Sequence, residues 1–595
     1  MTNIISNIIK NKNRQIRAFV FSIIAFIILG ALVFSYINSQ VSASRLSVVG
    51  SFNATNSPNA NDIFVLGQYA YLVTSNNSGS APEFYILNIA STTSPILMGS
   101  LDVGSTVNKI FILRDKAYLV TTKDAQEFVV VDIADKLHPQ ILSSYDIPGT
   151  ADGLSIFVTG QRFYDPYNSN DVYVPSITAY VGTENNTTGG RKEFYAFNVT
   201  NPSSISLLGS YEVSAHVRDI VIVRRWAFLA TTNHKEFLIL DVSSPSAMIE
   251  TASYDLPTNA NAVAYSHGKA YVVTNNNAAN PDFFVFDVGN LVDAPSIQLL
   301  SALNLKTHNT AIEIFGTKAY IGRTSEPTGI LVVDVANPAS PTFTEQLSIG
   351  DNINAIGIGL RYLFTATNND NKELQVIDPG VDISPITDVN ADGFITIVCL
   401  GDSNTMHASF FSIRRSWCEY VEDYISNSSW IVRNRALAGM TAVDFGIIAY
   451  GMPIYVGAPV DDKLFQYLDA VIKNDTADVV MLAFGTVDIA AGATAQQLTD
   501  AYAQHRAKLA SSSIASFVAL TPPVFATTTP DRTQAINEAN TLMLQTFPSS
   551  ELLDFFSTMT VEDYYTASGT FDGIHPADKG QAKRAEEAYK KIILR

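Results

Sequence analysis

An aromatic, β-branched phrase recurs along the middle of the chain, and no other feature restricts the fold as tightly. It reads AYLVT at Ala70, AYLVT at Ala117, AYVGT at Ala179, AFLAT at Ala227, AYVVT at Ala270 and AYIGR at Ala319, with a weaker copy, RYLFT, at Arg361. Successive copies lie 47, 62, 48, 43, 49 and 42 residues apart. A second phrase follows each: EFYILNI, EFVVVDI, EFYAFNV, EFLILDV, FFVFDV, ILVVDV and ELQVID. A Pro-containing turn and a third phrase, such as ILMGSLDV or SLLGSYEV, complete the unit. Val, Ile, Tyr and Phe suit a pleated, half-buried strand, and the Asn, Gly, Pro and Ser between them suit turns. Four short strands every ~40–50 residues are the pattern of a β-propeller blade. Seven copies predict an all-β, seven-bladed propeller over residues 44–380.

The two ends of the repeat complement each other. The last copy stops after ELQVIDPG, without a fourth strand, whereas Leu46–Phe52, LSVVGSF, has the form of the missing one. The N-terminal strand is therefore expected to complete the last blade, leaving no open sheet edge. The third unit carries roughly 15 extra residues near Arg162–Ser176, among them Phe163, Tyr164, Tyr167 and Tyr173. The expected form is a loop packed on the rim; exposed tyrosines there would stack on sugars or anchor a protein partner. The FVVVD at Phe128–Asp132, FLILD at Phe237–Asp241 and LVVD at Leu331–Asp334 resemble the LVIVD-repeat family of propellers. That resemblance implies a surface-exposed scaffold and names no ligand.

Ahead of the repeat, residues 18–37 read AFVFSIIAFIILGALVFSYI without a charge, after Lys10, Lys12, Arg14 and Arg17. A run of that length can span a ~30 Å hydrocarbon core, and flanking basic residues stay cytoplasmic. The expectation is a basic cytoplasmic segment over 1–17 and a transmembrane signal-anchor over 18–37. The protein would then be a single-pass cell-membrane protein with its later domains outside the cytoplasm. The competing reading is a signal peptide cleaved after Ala43, giving a secreted protein. The chain is 47% hydrophobic and 16% charged, with a net charge of −18. The apolar fraction excludes global disorder, and the negative balance argues against nucleic acid as a partner.

Only two cysteines exist, Cys399 and Cys418; one ends a predicted strand and the other lies in a predicted helix. Two buried free thiols are expected. The linker over 381–393 contains Asp388-Val389-Asn390-Ala391-Asp392-Gly393, the opening of a calcium loop. A full loop needs Glu at its twelfth position, which here is Cys399. A polar turn is the simpler reading, a loose calcium site the alternative.

From residue 394 to 595 the pattern alternates strand with helix. Strands are predicted over Ile395–Leu400, Ser429–Leu437, Val479–Phe484 and Ile514–Leu520. Helices are predicted over Ile413–Ser426, Asp462–Lys473, Gln496–Ala510, Arg532–Thr546 and Asp578–Ile593. Such alternation implies a parallel sheet in an α/β/α sandwich, with the site at the carboxyl ends of the strands. Gly401-Asp402-Ser403-Asn404 stands at such an end, and Asp572-Gly573-Ile574-His575-Pro576 lies near the C-terminus. A serine nucleophile needs a base, and the base an orienting acid; Asp572 and His575 supply both if their turn folds back over Ser403.

In this order these motifs resemble the SGNH (GDSL-like) hydrolase family over about 395–595. The resemblance implies Ser403 as nucleophile, His575 as base and Asp572 as its partner. It gives Gly439, in Asn434-Arg435-Ala436-Leu437-Ala438-Gly439, a backbone N–H in the oxyanion hole beside that of Ser403. In Gly485-Thr486-Val487-Asp488 the chain departs from the family's G-x-N-D: Val487 stands where an asparagine would donate to the oxyanion. Losing one such donor costs about 10²–10³ in rate; Asn404 is one residue that could substitute. His407 and the single carboxylates Asp444 and Asp488 are expected to be structural or capping, and His505 to be solvated on a surface helix. The function implied is an exported, membrane-anchored serine esterase without metal or organic cofactor. Its substrate would be a carboxylic ester, such as an acylated polysaccharide, with the propeller binding a glycan or protein. The alternative is a cell-surface binding or adhesion protein whose second domain is catalytically degenerate.

Overall fold

A computed structural model gives the three-dimensional structure. It describes residues 46–593 except 57, 77–80, 164–171, 186–191, 276–278, 290, 292–293, 325–328, 360, 381–385, 387, 391–393, 403, 406–415, 426–429, 437–441, 444–467, 469–471, 474, 524–529, 558 and 565–575. The described residues form seven four-stranded antiparallel sheets and one five-stranded parallel sheet. Each four-stranded sheet is a blade, and each inner strand packs against the inner strand of the next blade, the last against the first.

Sequence explains how neighbouring blades are fastened. Asn61, Asn108 and Asn261 on the inner strands donate side-chain N–H to the backbone oxygens of Val107, Gly153 and Asn309 of the following blade, at 2.8, 2.7 and 2.6 Å. A second device recurs before the third strand of a blade, where a buried acid accepts backbone N–H bonds from the chain leaving the fourth strand. Glu83 holds Val103 and Gly104, Glu127 holds Ile147, and Glu236 holds Leu256. Blade packing buries Tyr, Phe, Val and Ile between successive sheets. The outer strands leave apolar side chains such as Ile96, Ile249 and Phe343 exposed.

The ring closes as the two ends of the repeat imply. Strand Ser47–Phe52 is the outermost strand of the sheet whose other members are Ile353–Gly359, Tyr362–Thr367 and Leu374–Asp378. Glu373 accepts the N–H of Ala54 at 2.7 Å, and Asn354 donates to the oxygen of Ala60 at 2.6 Å. The first repeats the acid device of the other blades and the second the asparagine bond between neighbouring blades, here between opposite ends of the domain. In the third blade the extra residues lengthen the inner hairpin, with strands Gly153–Phe163 and Val172–Thr183 in register to Phe163↔Val172. The expected rim loop is thus in part extended sheet, and Tyr164 and Tyr167 lie outside the described residues.

The expected membrane anchor is corrected. No helix among the described residues is long and apolar enough to cross a membrane, and residues 18–37 lie outside those described. The architecture is a seven-bladed propeller followed by an α/β/α domain. A transmembrane segment, single-pass topology and the membrane as a partner are dropped from the reading.

In the second domain we number strands β1 (Ile395–Gly401), β2 (Trp430–Asn434), β3 (Val479–Ala483), β4 (Ala515–Ala519) and β5 (Leu552–Leu553), in the spatial order 2-1-3-4-5. Helices are α1 (Trp417–Ile425), α2 (Thr486–Ala490), α3 (Ala495–Ser511), α4 (Pro530–Thr546) and α5 (Asp578–Ile593). Both faces of β1 are buried, as its unbroken apolar run requires. Val398 and Leu400 join a cluster with α3 and α4, and Ile395, Ile397 and Cys399 one with α1 and α5. Of the predicted helix Asp462–Lys473, only 468, 472 and 473 are described, and they are helical.

That alternation also overturns the expectation of free thiols. Cys399 points to the face covered by α1, where Cys418 faces it, and the two form a disulfide with Cα atoms 6.2 Å apart. A sequence cannot show this, because the pairing depends on how α1 lies on the sheet. In the linker, Asp478 accepts the N–H groups of Val389 and Thr396, both at 2.7 Å, and Asn390 donates to the oxygen of Thr476 at 3.0 Å.

The propeller packs against α1 and α5. The His267 ring at the fifth blade's inner hairpin stacks on Tyr424 at 4.3 Å and meets Tyr589 edge-on at 5.1 Å. Arg224 covers the ring of Tyr420 at 4.6 Å, and the Ser266 hydroxyl donates to the oxygen of Tyr424 at 3.3 Å.

Candidate active site

The GDSN turn leaves the carboxyl end of the central strand β1. Gly401 is required there, since a Cβ would lie 2.4 Å from the backbone oxygen of Ala483 and from Thr405 Oγ1. Asp402 is buried and its Oδ1 accepts the N–H of Asn404 at 2.9 Å, while Thr405 N–H bonds back to the Asp402 oxygen at 3.0 Å. Asn434, at the end of β2, donates its amide to the Thr405 oxygen and to Ser416 Oγ, both at 2.8 Å. The turn is thereby fixed on both sides of residue 403.

Ser403, Gly439, Asp572 and His575 themselves lie outside the described residues, as do His407 and Asp444. Their flanks are described, and the structure brings two of them together. Gln581, in the first turn of α5, donates Nε2 to the oxygens of Asn404 and Pro576 at 3.3 and 3.1 Å. Arg584, three residues on, donates Nη1 to the same Asn404 oxygen at 2.7 Å. The residue after Ser403 and the residue after His575 are therefore held by one side chain. Arg584 is almost fully buried, 4.6 Å from the Phe555 ring centre and 5.9 Å from that of Trp417. Burial pushes its pKa down to about 10.

Val487 is described and half-buried, the second residue of the short helix α2. Gly485 precedes that helix at φ +114°, a left-handed conformation that favours glycine; a Cβ there would also strike Thr521 Oγ1. Asp488 is fully buried and accepts the N–H groups of Val443 at 2.9 Å and Gly485 at 3.1 Å. It ties the loop that follows β2 to the loop that follows β3, the capping role expected of it. Burial, and then the Asp402 carboxylate, push its pKa up to about 7. The Asn404 amide is buried, and among the described residues neither its Oδ1 nor its Nδ2 finds a hydrogen-bond partner.

His505 departs from expectation. It is 3% exposed, its Nε2 lies 2.9 Å from the Ala442 oxygen, and burial lowers its pKa. It fell on the inner face of α3, which the weak amphipathicity of AQQLTDAYAQHRAKLAS does not reveal. Gln581 and Arg584 were not legible as site residues either, since α5 reads as a charged amphipathic helix. Among the described residues no group of three or more His, Cys, Asp or Glu side chains is placed to hold a metal ion.

Residues 397–588 match the family model for GDSL-like Lipase/Acylhydrolase. Residues 58–103, 117–147, 215–256 and 310–348 match the LVIVD repeat. The chain thus carries an SGNH/GDSL-like hydrolase domain behind an LVIVD-repeat propeller. No curated protein matches the chain. Similar solved structures include a candidate 6-phosphogluconolactonase from Bacteroides uniformis ATCC 8492, 11% identical, with a TM-score of 0.40, covering 52% of this chain and 91% of that one. Another is the β-propeller domain of Myceliophteria thermophila Cps50 (Swd1), 8% identical, TM-score 0.40, covering 56% and 99%. Likenesses this distant carry no argument about activity.

Proposed function

We propose that residues 394–595 form a serine hydrolase acting on carboxylic esters. In this reading Ser403 Oγ attacks the ester carbonyl while His575 takes its proton, and Asp572 holds the imidazole in the required tautomer. The C–O bond to the alcohol then breaks, His575 returns the proton to the departing oxygen, and water, deprotonated by the same histidine, releases the acid from the acyl-enzyme. The backbone N–H groups of Ser403 and Gly439 take the developing oxyanion. The third donor of the family is missing at Val487, so the hole is weaker by about 10²–10³ unless another group donates.

One observation carries the reading. Within a domain matching the GDSL-like family, Asn404 and Pro576, the residues that follow Ser403 and His575, share the amide of Gln581. The propeller, packed on α1 and α5, serves as scaffold and, for an acylated glycan, as the surface that would hold the polymer.

The test is a fluorophosphonate probe with short-chain nitrophenyl esters, comparing wild type with Ser403→Ala. Labelling and hydrolysis that vanish together in the variant support the reading. Hydrolysis that survives unchanged in Ser403→Ala overturns it. An unlabelled wild type favours a binding protein with a silent hydrolase domain.

A further inference from the structure

Gln581 is 0% exposed, yet nothing in the proposed chemistry uses it. A buried polar side chain is costly unless its hydrogen bonds are made, and methionine or leucine would fill similar space without that demand. Here the amide is saturated. Nε2 gives both protons, to the oxygens of Asn404 and Pro576. Oε1 takes both of its bonds, from the Trp417 N–H at 3.1 Å and from Arg584 Nη1 at 3.5 Å. That exhausts what a carboxamide can do, and the reverse amide orientation would set donors against donors. The four partners come from the β1 turn, the turn before α5, the start of α1, and α5 itself.

The first two partners give the amide its meaning. One is the carbonyl directly after Ser403, the other the carbonyl directly after His575. The close seating of α5 supports this placement: a Cβ on Gly580 would lie 2.7 Å from the Asp563 oxygen and 2.9 Å from Pro576 Cβ. Arg584 adds a second grip on the Asn404 carbonyl.

We propose that Gln581 is a positioning residue that sets the separation of the Ser403 and His575 turns, with Arg584 as its support. The proposal rests on the esterase reading above. Misplacing reacting groups by about 1 Å can cost about 10²-fold in rate, and these two bonds tie the carbonyls that directly follow Ser403 and His575 to one amide.

The discriminating variant is Gln581→Glu. It keeps the chain length and the acceptor facing Trp417 N–H and Arg584, but cannot donate to the two carbonyls. Gln581→Met removes all four bonds at similar volume. In the full-length protein, the second-order rate of fluorophosphonate labelling at Ser403 is expected to fall by about ten- to a hundredfold in both. For a nitrophenyl ester, kcat is expected to fall with KM unchanged. Gln581→Glu sets a carboxylate oxygen against the Asn404 and Pro576 carbonyls and should melt below wild type, so labelling rates are compared at equal folded fraction. Labelling of Gln581→Glu at the wild-type rate overturns the proposal and leaves the esterase reading standing. So does a Gln581→Met protein whose melting temperature drops while its folded fraction labels normally. A wild type that does not label at all removes the esterase reading, and this proposal with it.

Discussion

Glu373→Ala tests how the propeller is closed. In most blades the equivalent acid holds a loop about 20 residues away within its own blade, as Glu127 holds Ile147 at 2.8 Å. Glu373 instead holds Ala54, 319 residues away, at 2.7 Å. Both groups are buried, Glu373 at 0% and Ala54 at 3% exposure. Alanine removes a hydrogen bond to a charged acceptor, a loss of about 1.5–3 kcal/mol, and leaves the Ala54 N–H unpaired in the interior. A total near 3 kcal/mol is the expected cost. With an unfolding entropy of ~2.1 cal/mol/K per residue, a ring of about 330 residues should lose about 4 °C in melting temperature. Glu373→Gln keeps an acceptor of the same length and should cost under about 1 kcal/mol. Calorimetry on the two variants, with Glu127→Ala as a control inside one blade, measures these values. A Glu373→Ala protein that melts within 1 °C of wild type, or a glutamine variant as damaged as the alanine one, would refute the closure argument.

Other perturbations probe the second domain and its seat on the propeller. Burial lowers the His267 pKa to about 4, against a smaller opposing pull from Glu586 and with Lys269 and Lys590 adding to the fall. The unfolded or undocked side chain binds a proton near pH 6.5, so the contact with Tyr424 and Tyr589 is at full strength above that pH. It weakens as pH falls from about 6.5 to 4, by at most about 3 kcal/mol; His267→Phe should flatten that limb in a pH series of melting curves. Arg435 meets Asp475 at 2.6 Å with both nearly inaccessible, and Arg433 stays 3.5 Å from the same carboxylate, so Arg435→Ala should destabilise the hydrolase domain by up to about 3 kcal/mol, read by urea unfolding. Val487→Asn, which restores the family's side chain, should raise kcat on nitrophenyl esters by about tenfold or more with little change in KM; an unchanged kcat would mean that position 487 does not face the oxyanion.

Much of this molecule was legible from local pattern. The recurring phrases gave seven blades, and LSVVGSF against a last copy without its fourth strand gave the closing strand. The apolar strands between helical segments gave the parallel sheet, and α5 ran over Asp578–Ile593 as predicted. These features are periodic, and a strand or helix records its buried face in its own sequence. The GDSN motif likewise fell at the carboxyl end of β1, where Gly401 closes the strand.

What the tertiary structure decided concerns residues distant in sequence. Cys418 meets Cys399 because α1 lies across the end of β1. His505 is buried with its Nε2 at the Ala442 oxygen, 63 residues away, and Asn404 meets Gln581 and Arg584 across some 180 residues. None of these contacts leaves a periodic trace, since a single buried polar group owes its place to one partner rather than to a repeating face. The apolar run at residues 18–37 lies outside the described residues, and no described helix is long and apolar enough to cross a membrane. The sequence by itself determined the repeat, the layers and the order of the motifs, because these follow from short-range periodicity. Only the folded chain determined that Gln581 and Arg584 reach the Asn404 carbonyl and that Gln581 also reaches that of Pro576, because that depends on where α5 seats.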